Sequence, residues 1–223
     1  MNGFTKRTIA LPILCLAACT GSLFQSKAAP PTVYLLSPLA GSPAAAPAAE
    51  APAPVISADL TILRPRPRPG LESDRITVLY PDRHLDYFAG ARWSGPLAEV
   101  LQDLAVQEFR NHARLHSVSA EGTLFASAYW LEIEVADFQA DYASAAAAPT
   151  VHVHFLARIG SSGDRRILGQ YEADVRQPAA ENRLTAIVDA YARAADAAWG
   201  QIVAQADETL AKASTLAKAS EAR

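Results

Sequence analysis

The chain has 223 residues, a formal charge of −3, 50% hydrophobic residues and only two cysteines. Such a charge supplies no global electrostatic reason to bind nucleic acid or anionic lipid headgroups, and so few cysteines exclude a disulfide framework or a cysteine metal centre. The length is enough for one domain with a sizeable core once flexible segments are subtracted.

A basic pair, Lys6 and Arg7, precedes an apolar run from Thr8 to Ala18. The run is too short to span a bilayer, which takes about 20 apolar residues, and its layout is that of a secretory signal. Leu16-Ala17-Ala18-Cys19 closes it and resembles a bacterial lipobox. Residues 1–18 are therefore expected to be a lipoprotein signal peptide, with Cys19 becoming the acylated first residue of the mature protein. Two acyl signals make anchoring stable where one is marginal. An ordinary cleaved signal with a coincidental cysteine is the alternative. Cys15, Lys6 and Arg7 would leave with the signal, so the mature chain is more acidic and has Cys19 as its sole cysteine. Thr20 follows Cys19, where an aspartate would direct inner-membrane retention under the enteric sorting rule. The expected location is thus the outer membrane, facing the periplasm.

Residues 19–31 read as a tether, small and polar from Thr20 to Pro31. Thr32-Val33-Tyr34-Leu35-Leu36 is a short strand candidate. From Pro38 to Ala58 the chain is dominated by alanine and proline, a composition that holds neither helix nor ladder and reads as a semi-extended insertion after that strand. Asp59–Leu63 is the next strand, halted by Arg64-Pro65-Arg66-Pro67-Arg68-Pro69-Gly70, which offers no run of backbone donors. Arg75–Tyr80 alternates and is rich in β-branched residues, and Leu85–Phe88 is a second extended piece. Gly95-Pro96 opens a helix, with proline suited to its start and Glu99 favourable for the dipole. Leu97, Val100, Leu101 and Leu104 share its apolar face, opposite Glu99, Asp103 and Arg110.

Tyr129–Phe138 alternates, with Leu131, Ile133 and Val135 on one face and Glu132 and Glu134 on the other. Val151–Ile159 and Arg166–Val175 flank the turn cluster Gly160-Ser161-Ser162-Gly163-Asp164 and predict an antiparallel hairpin. A helix is expected over Ala180–Gln205, with Leu184, Ile187, Val188, Tyr191, Ala195, Ala198 and Ile202 as its buried stripe. Residues 207–223 have little apolar face and read as a flexible helical tail. The fold class is α/β: a single domain over 32–206, with a mixed, largely antiparallel sheet packed by two amphipathic helices.

Leu71-Glu72-Ser73-Asp74-Arg75-Ile76-Thr77-Val78, then Leu85-Asp86-Tyr87-Phe88-Ala89-Gly90-Ala91-Arg92-Trp93 and the helix after it, resemble the ABC-type transport auxiliary lipoprotein family, the PqiC-like lipoproteins. Tyr34–Pro38 is similar to the family's first strand, and Trp130–Tyr142 to its central strand. The resemblance covers nearly all of residues 32–206. It implies a non-catalytic subunit of an MCE-type ABC system that moves lipids between the inner and outer membranes. The implied partners are a periplasmic MCE-domain protein and the permease and ATPase of the same system. Assembly as a homo-oligomer is left open.

No Gly-x-Ser-x-Gly elbow, His-Glu-x-x-His, P-loop or Gly-x-Gly-x-x-Gly occurs, and no catalytic residue, metal ligand or cofactor is assigned. His152 and His154 lie two apart on a strand and form at most half a metal site. With no third ligand at a local spacing, the preferred reading places them on the polar face of the hairpin, with Val151, Val153 and Phe155 inward. His112 and His116 are placed at a helix end and the loop after it. Arg64, Arg66 and Arg68 are the local basic cluster, either a docking surface for acidic or phosphate groups or a solvated connector. Arg92 and Trp93 are interface anchors or, as an aromatic at a strand-to-helix junction suggests, core. Glu132 and Glu134 read as the wet face of a strand rather than paired acids. A structural envelope lipoprotein unrelated to transport, or a tethered periplasmic enzyme, are the other functions compatible with these residues.

Overall fold

The computed structural model describes residues 29–39, 55–123, 126–144 and 146–221. The signal peptide, Cys19, all but the last residues of the tether and most of the alanine and proline insertion lie outside the described residues. In chain order the elements are β1 (Thr32–Tyr34), β2 (Ile56–Ile62), β3 (Arg66–Pro67), β4 (Arg75–Leu79), β5 (Leu85–Trp93), α1 (Leu97–His112), β6 (Leu115–Ala120), β7 (Tyr129–Asp141), β8 (Thr150–Ser161), β9 (Ile167–Pro178) and α2 (Leu184–Glu221). The strands form one mixed sheet in a single α/β domain.

Strand β7 organises that sheet. One of its edges is lined end to end by three short parallel partners: β2 at Tyr129–Leu131, β3 at Glu134–Val135 and β4 at Ala140–Asp141. Its other edge pairs along its whole length with antiparallel β8, which in turn pairs with β9. The longest ladders, β7–β8 and β8–β9, are thus antiparallel, and the short ones on the other edge of β7 are parallel. The register shifts between Val135 and Asp137, opposite Phe155 and His154. This bulge reverses the alternation: Leu131, Ile133 and Val135 face inward before it, Phe138 and Ala140 after it, all at most 1% exposed.

Both helices pack on that inner face. Leu97, Leu101, Leu104 and Phe109 of α1 are buried, and so are Ile187, Tyr191, Trp199 and Ile202 of α2. An aromatic chain joins the layers: Trp93 meets Tyr191 edge-on at 5.2 Å between ring centres, Tyr191 meets Phe138 at 5.1 Å, and Trp199 meets Phe155 at 4.8 Å. Alanines 190, 194, 195 and 198 let α2 approach closely. The Tyr191 hydroxyl donates to the Thr77 carbonyl at 2.6 Å, which satisfies the one polar atom of a fully buried ring.

Five elements differ from expectation. Strand β2 begins at Ile56, so the last three residues of the segment read as an insertion are strand, with Ile56 and Ala58 buried. Within the segment 64–70, Arg66–Pro67 join the sheet as β3, because prolines at alternate positions leave the arginine N–H groups, and one-sided pairing needs only every other donor. Arg68 N accordingly donates to Val135 O at 3.0 Å. Strand β5 continues past Phe88 to Trp93, across an irregular stretch where Gly90 has φ +68°. Strand β6, expected as loop, pairs parallel with β2 and carries His116. Finally, α2 starts at Leu184 and runs unbroken through Glu221, with Ala206 and Leu210 fully buried and Ser214 nearly so.

Candidate functional site

The sheet face opposite the helices carries a carpet of charge, and β7 supplies its acidic row. Glu132 is clasped between Arg66 of β3 and Arg158 of β8, the latter at 2.8 Å. Arg68 pairs with Asp137 Oδ1 at 2.9 Å, and Arg176 of β9 pairs with Asp141 at 3.1 Å. Arg64 instead turns to Glu99 of α1 at 2.9 Å, and its N–H donates to Glu121. The predicted basic cluster therefore stands at the surface with each guanidinium matched to a carboxylate. Arg64 is 54% exposed, Arg66 60% and Arg68 42%. These pairs hold the side chains in place and add little stability individually.

Arg92 and Trp93, adjacent in β5, point to opposite sides. Arg92 is exposed and lies 3.5 Å from Asp74. Trp93 is 1% exposed, wedged between Phe138 and Tyr191. Its indole belongs to the core and has no surface to offer a partner.

His152 and His154 occupy the open face, while Val151, Val153 and Phe155 point into the core. The ligand that sequence spacing failed to supply comes from the neighbouring strand. Asp137 Oδ2 lies 3.9 Å from His152 Nδ1 and 3.6 Å from His154 Nδ1. On the far sides of the rings, His152 Nε2 is 2.9 Å from Asp174 Oδ1 and His154 Nε2 is 2.9 Å from Glu172 Oε1. The two imidazoles are nearly parallel, at 15°, with centres 6.1 Å apart. Asp137, Glu172 and Asp174 went unnoticed in the sequence because each is joined to its histidine across strands. Diagonal pairing across the β8–β9 hairpin was the signal available.

A fourth acid escaped notice. Glu108 lies on the packed face of α1 at 2% exposure. Burial, helped by the charge of Asp196 on α2, pushes its carboxyl up to about 7. His112 Nε2 stands 3.5 Å from its Oε2. His112 ends α1 as expected, but His116 sits in β6, 2.8 Å from Asp59, and no common site gathers the two.

No helix among the described residues is long and apolar enough to cross a membrane. No curated protein sequence matches the chain. Among solved structures, protein XCC0632 from Xanthomonas campestris, of family DUF330, is 25% identical, with a TM-score of 0.60 over 80% of this chain and 96% of that one. A second, an uncharacterized protein, shares the fold at 14% identity and a TM-score of 0.57, covering 81% of this chain and 98% of that one. Residues 34–204, which take in the sheet from Tyr34 onward, all of α1 and more than half of α2, match a family of transport components. The chain belongs to the ABC-type transport auxiliary lipoprotein component family.

Proposed function

We propose that this chain is a non-catalytic lipoprotein subunit of an MCE-type ABC system that traffics lipids between the inner and outer membranes. In this reading Cys19 carries the acyl anchor, residues 19–31 form the tether, and the domain over 32–206 faces the periplasm from the outer membrane. It docks there to the MCE-domain protein served by the permease and ATPase of the same system. The observation that carries the reading is the family membership, which extends over residues 34–204 and so includes the elements that build the open face.

That face suits such a role chemically. Arg66 and Arg68, with Arg64 and Arg92 elsewhere on the surface, are guanidinium groups already ordered by carboxylates. A docking partner with its own acids can exchange for those carboxylates with little ordering cost. A tether of about a dozen residues reaches roughly 20 Å by random-coil scaling, so the domain stays near its membrane and the partner spans most of the gap.

The test is a crosslinked pull-down of the lipidated protein from its native envelope, with mass spectrometry of its partners and of its N-terminal residue. The expected result is an MCE-domain protein together with an acylated Cys19. An acylated protein recovered with no such partner would overturn the transport role while leaving the anchor in place.

A further inference from the structure

We propose that Asp137, His152 and His154 form a binding site for a divalent transition-metal ion of the zinc class on the open face of the sheet. A carboxylate only accepts, so the imidazole nitrogen that meets each of Asp174 and Glu172 at 2.9 Å carries the hydrogen. The other ring nitrogen of each histidine, Nδ1, faces Asp137 Oδ2, at 3.9 and 3.6 Å, and is the atom that a metal ion would take. Those separations are too long for hydrogen bonds. The other oxygen of Asp137, Oδ1, accepts from Arg68 and from Gln139 Nε2, each at 2.9 Å. Two imidazole nitrogens and one carboxylate oxygen thus converge, a donor set that a cation can bridge.

One ligand atom from each residue lies within 4.8 Å of the other two. A tetrahedral ion with bonds of about 2.0–2.1 Å separates its ligands by roughly 3.3 Å, so the closure required is at most about 1.5 Å, within reach of side-chain rotation. The surrounding charge favours a dication. Asp137, Asp141, Glu172 and Asp174 face the imidazoles, against the guanidinium groups of Arg68 and Arg176. Asp141 Oδ2 stands 3.8 Å from His152 Nδ1 and is itself held by Arg176. Carboxylates behind histidines are the usual outer partners of zinc ligands, fixing the tautomer and raising basicity. Two imidazoles select zinc-class ions over magnesium or calcium. Three protein ligands leave a fourth position for water, and the ion would join β7 to β8.

This site does not depend on the transport role, and its test reads the metal alone. The full chain, extracted in detergent and stripped with chelator, is titrated calorimetrically with Zn2+ and, separately, with Mg2+ at pH 7.5. We expect one Zn2+ per chain, no comparable Mg2+ binding, and a melting midpoint raised by zinc. His154→Gln and Asp137→Asn are expected to weaken Zn2+ at least 10-fold and to abolish the zinc-dependent melting shift. Glu172→Gln should weaken it several-fold through loss of the outer carboxylate, and His116→Gln should leave it unchanged. Because Asp137→Asn also loses its ion pair with Arg68, His152→Gln serves as a further variant if that protein fails to fold. Zinc affinity unchanged in folded His154→Gln and His152→Gln would overturn the site. So would folded wild-type protein that takes up no Zn2+.

Discussion

Replacing Glu108 with glutamine should change how stability depends on pH, because this carboxyl is buried between the helices with too few partners. Its Oε1 has no hydrogen-bond partner, and the imidazole of His112 stands 3.5 Å from Oε2. The folded-state value of about 7 stands above the ordinary 4.5, so the native state holds this proton more tightly than the unfolded chain. Below pH 4.5 both states are protonated and the group is neutral to stability. As pH rises from about 4.5 to 7, the unfolded chain releases the proton first, and stability falls. Above 7 the full cost of an ionised, buried glutamate is present. At about 1.4 kcal/mol per unit of pKa, that cost is on the order of 3 kcal/mol. Glu108→Gln keeps the shape and removes the ionisation. Urea unfolding of both proteins between pH 4.5 and 8.5 isolates the effect, since titrating groups remote from Glu108 cancel in the difference. The variant should lie within about 1 kcal/mol of wild type near pH 5 and exceed it by on the order of 3 kcal/mol at pH 8.5. A difference that stays constant across this range would refute the assignment of Glu108 as a proton-holding buried acid.

Trp93→Ala should cost about 3–5 kcal/mol in denaturant unfolding, because it opens a cavity against Phe138 and Tyr191. Its exposed neighbour is a contrast: Arg92→Ala should stay within about 1 kcal/mol. Wild-type stability for Trp93→Ala combined with lost partner binding would contradict the core placement. Gly160 lies beneath the Trp130 indole, where an added Cβ would overlap the ring. Gly160→Ala should therefore destabilise by about 1–3 kcal/mol, shift the tryptophan fluorescence, and recover stability when combined with Trp130→Ala. Leu210→Ala should cost about 2–3 kcal/mol, whereas Leu216→Ala, 71% exposed, should change stability by less than about 0.5 kcal/mol. Equal effects at the two positions would show that the end of α2 does not pack as described.

Periodicity revealed what periodicity encodes. The apolar stripes of α1 and α2 and the alternation of β7 and β8 are written in residues a few positions apart, so their buried faces could be read directly. The end of α2 was harder, because its contacts past residue 205 rest on Ala206, Leu210 and Ser214, a sparse and weakly apolar series. Strand β6 has Val118 as its only buried residue and draws its pairing from the parallel edge of β2. Tertiary context decides such a segment, and its own composition does not. In residues 64–70 a sound rule about proline donors was applied to both edges of a strand that uses only one.

The charged face follows from register, which no single segment contains. Centring the β8–β9 hairpin on its glycine-containing turn places His152 opposite Arg176 and His154 opposite Asp174, and the diagonal neighbours then become Asp174 for His152 and Glu172 for His154. The link from β7 to β8 completes the set by setting Asp137 opposite His154 and Gln139 opposite His152. The bulge between Val135 and Asp137 makes this pairing possible. Without that extra residue the alternation would carry Asp137 to the helix side and Phe138 to solvent. The apolar switch from Leu131, Ile133 and Val135 to Phe138 and Ala140 records the bulge in the sequence. The same one-residue insertion therefore buries Phe138 against Tyr191 and turns the Asp137 carboxylate toward the two imidazoles, so the core and the candidate metal site share one structural cause.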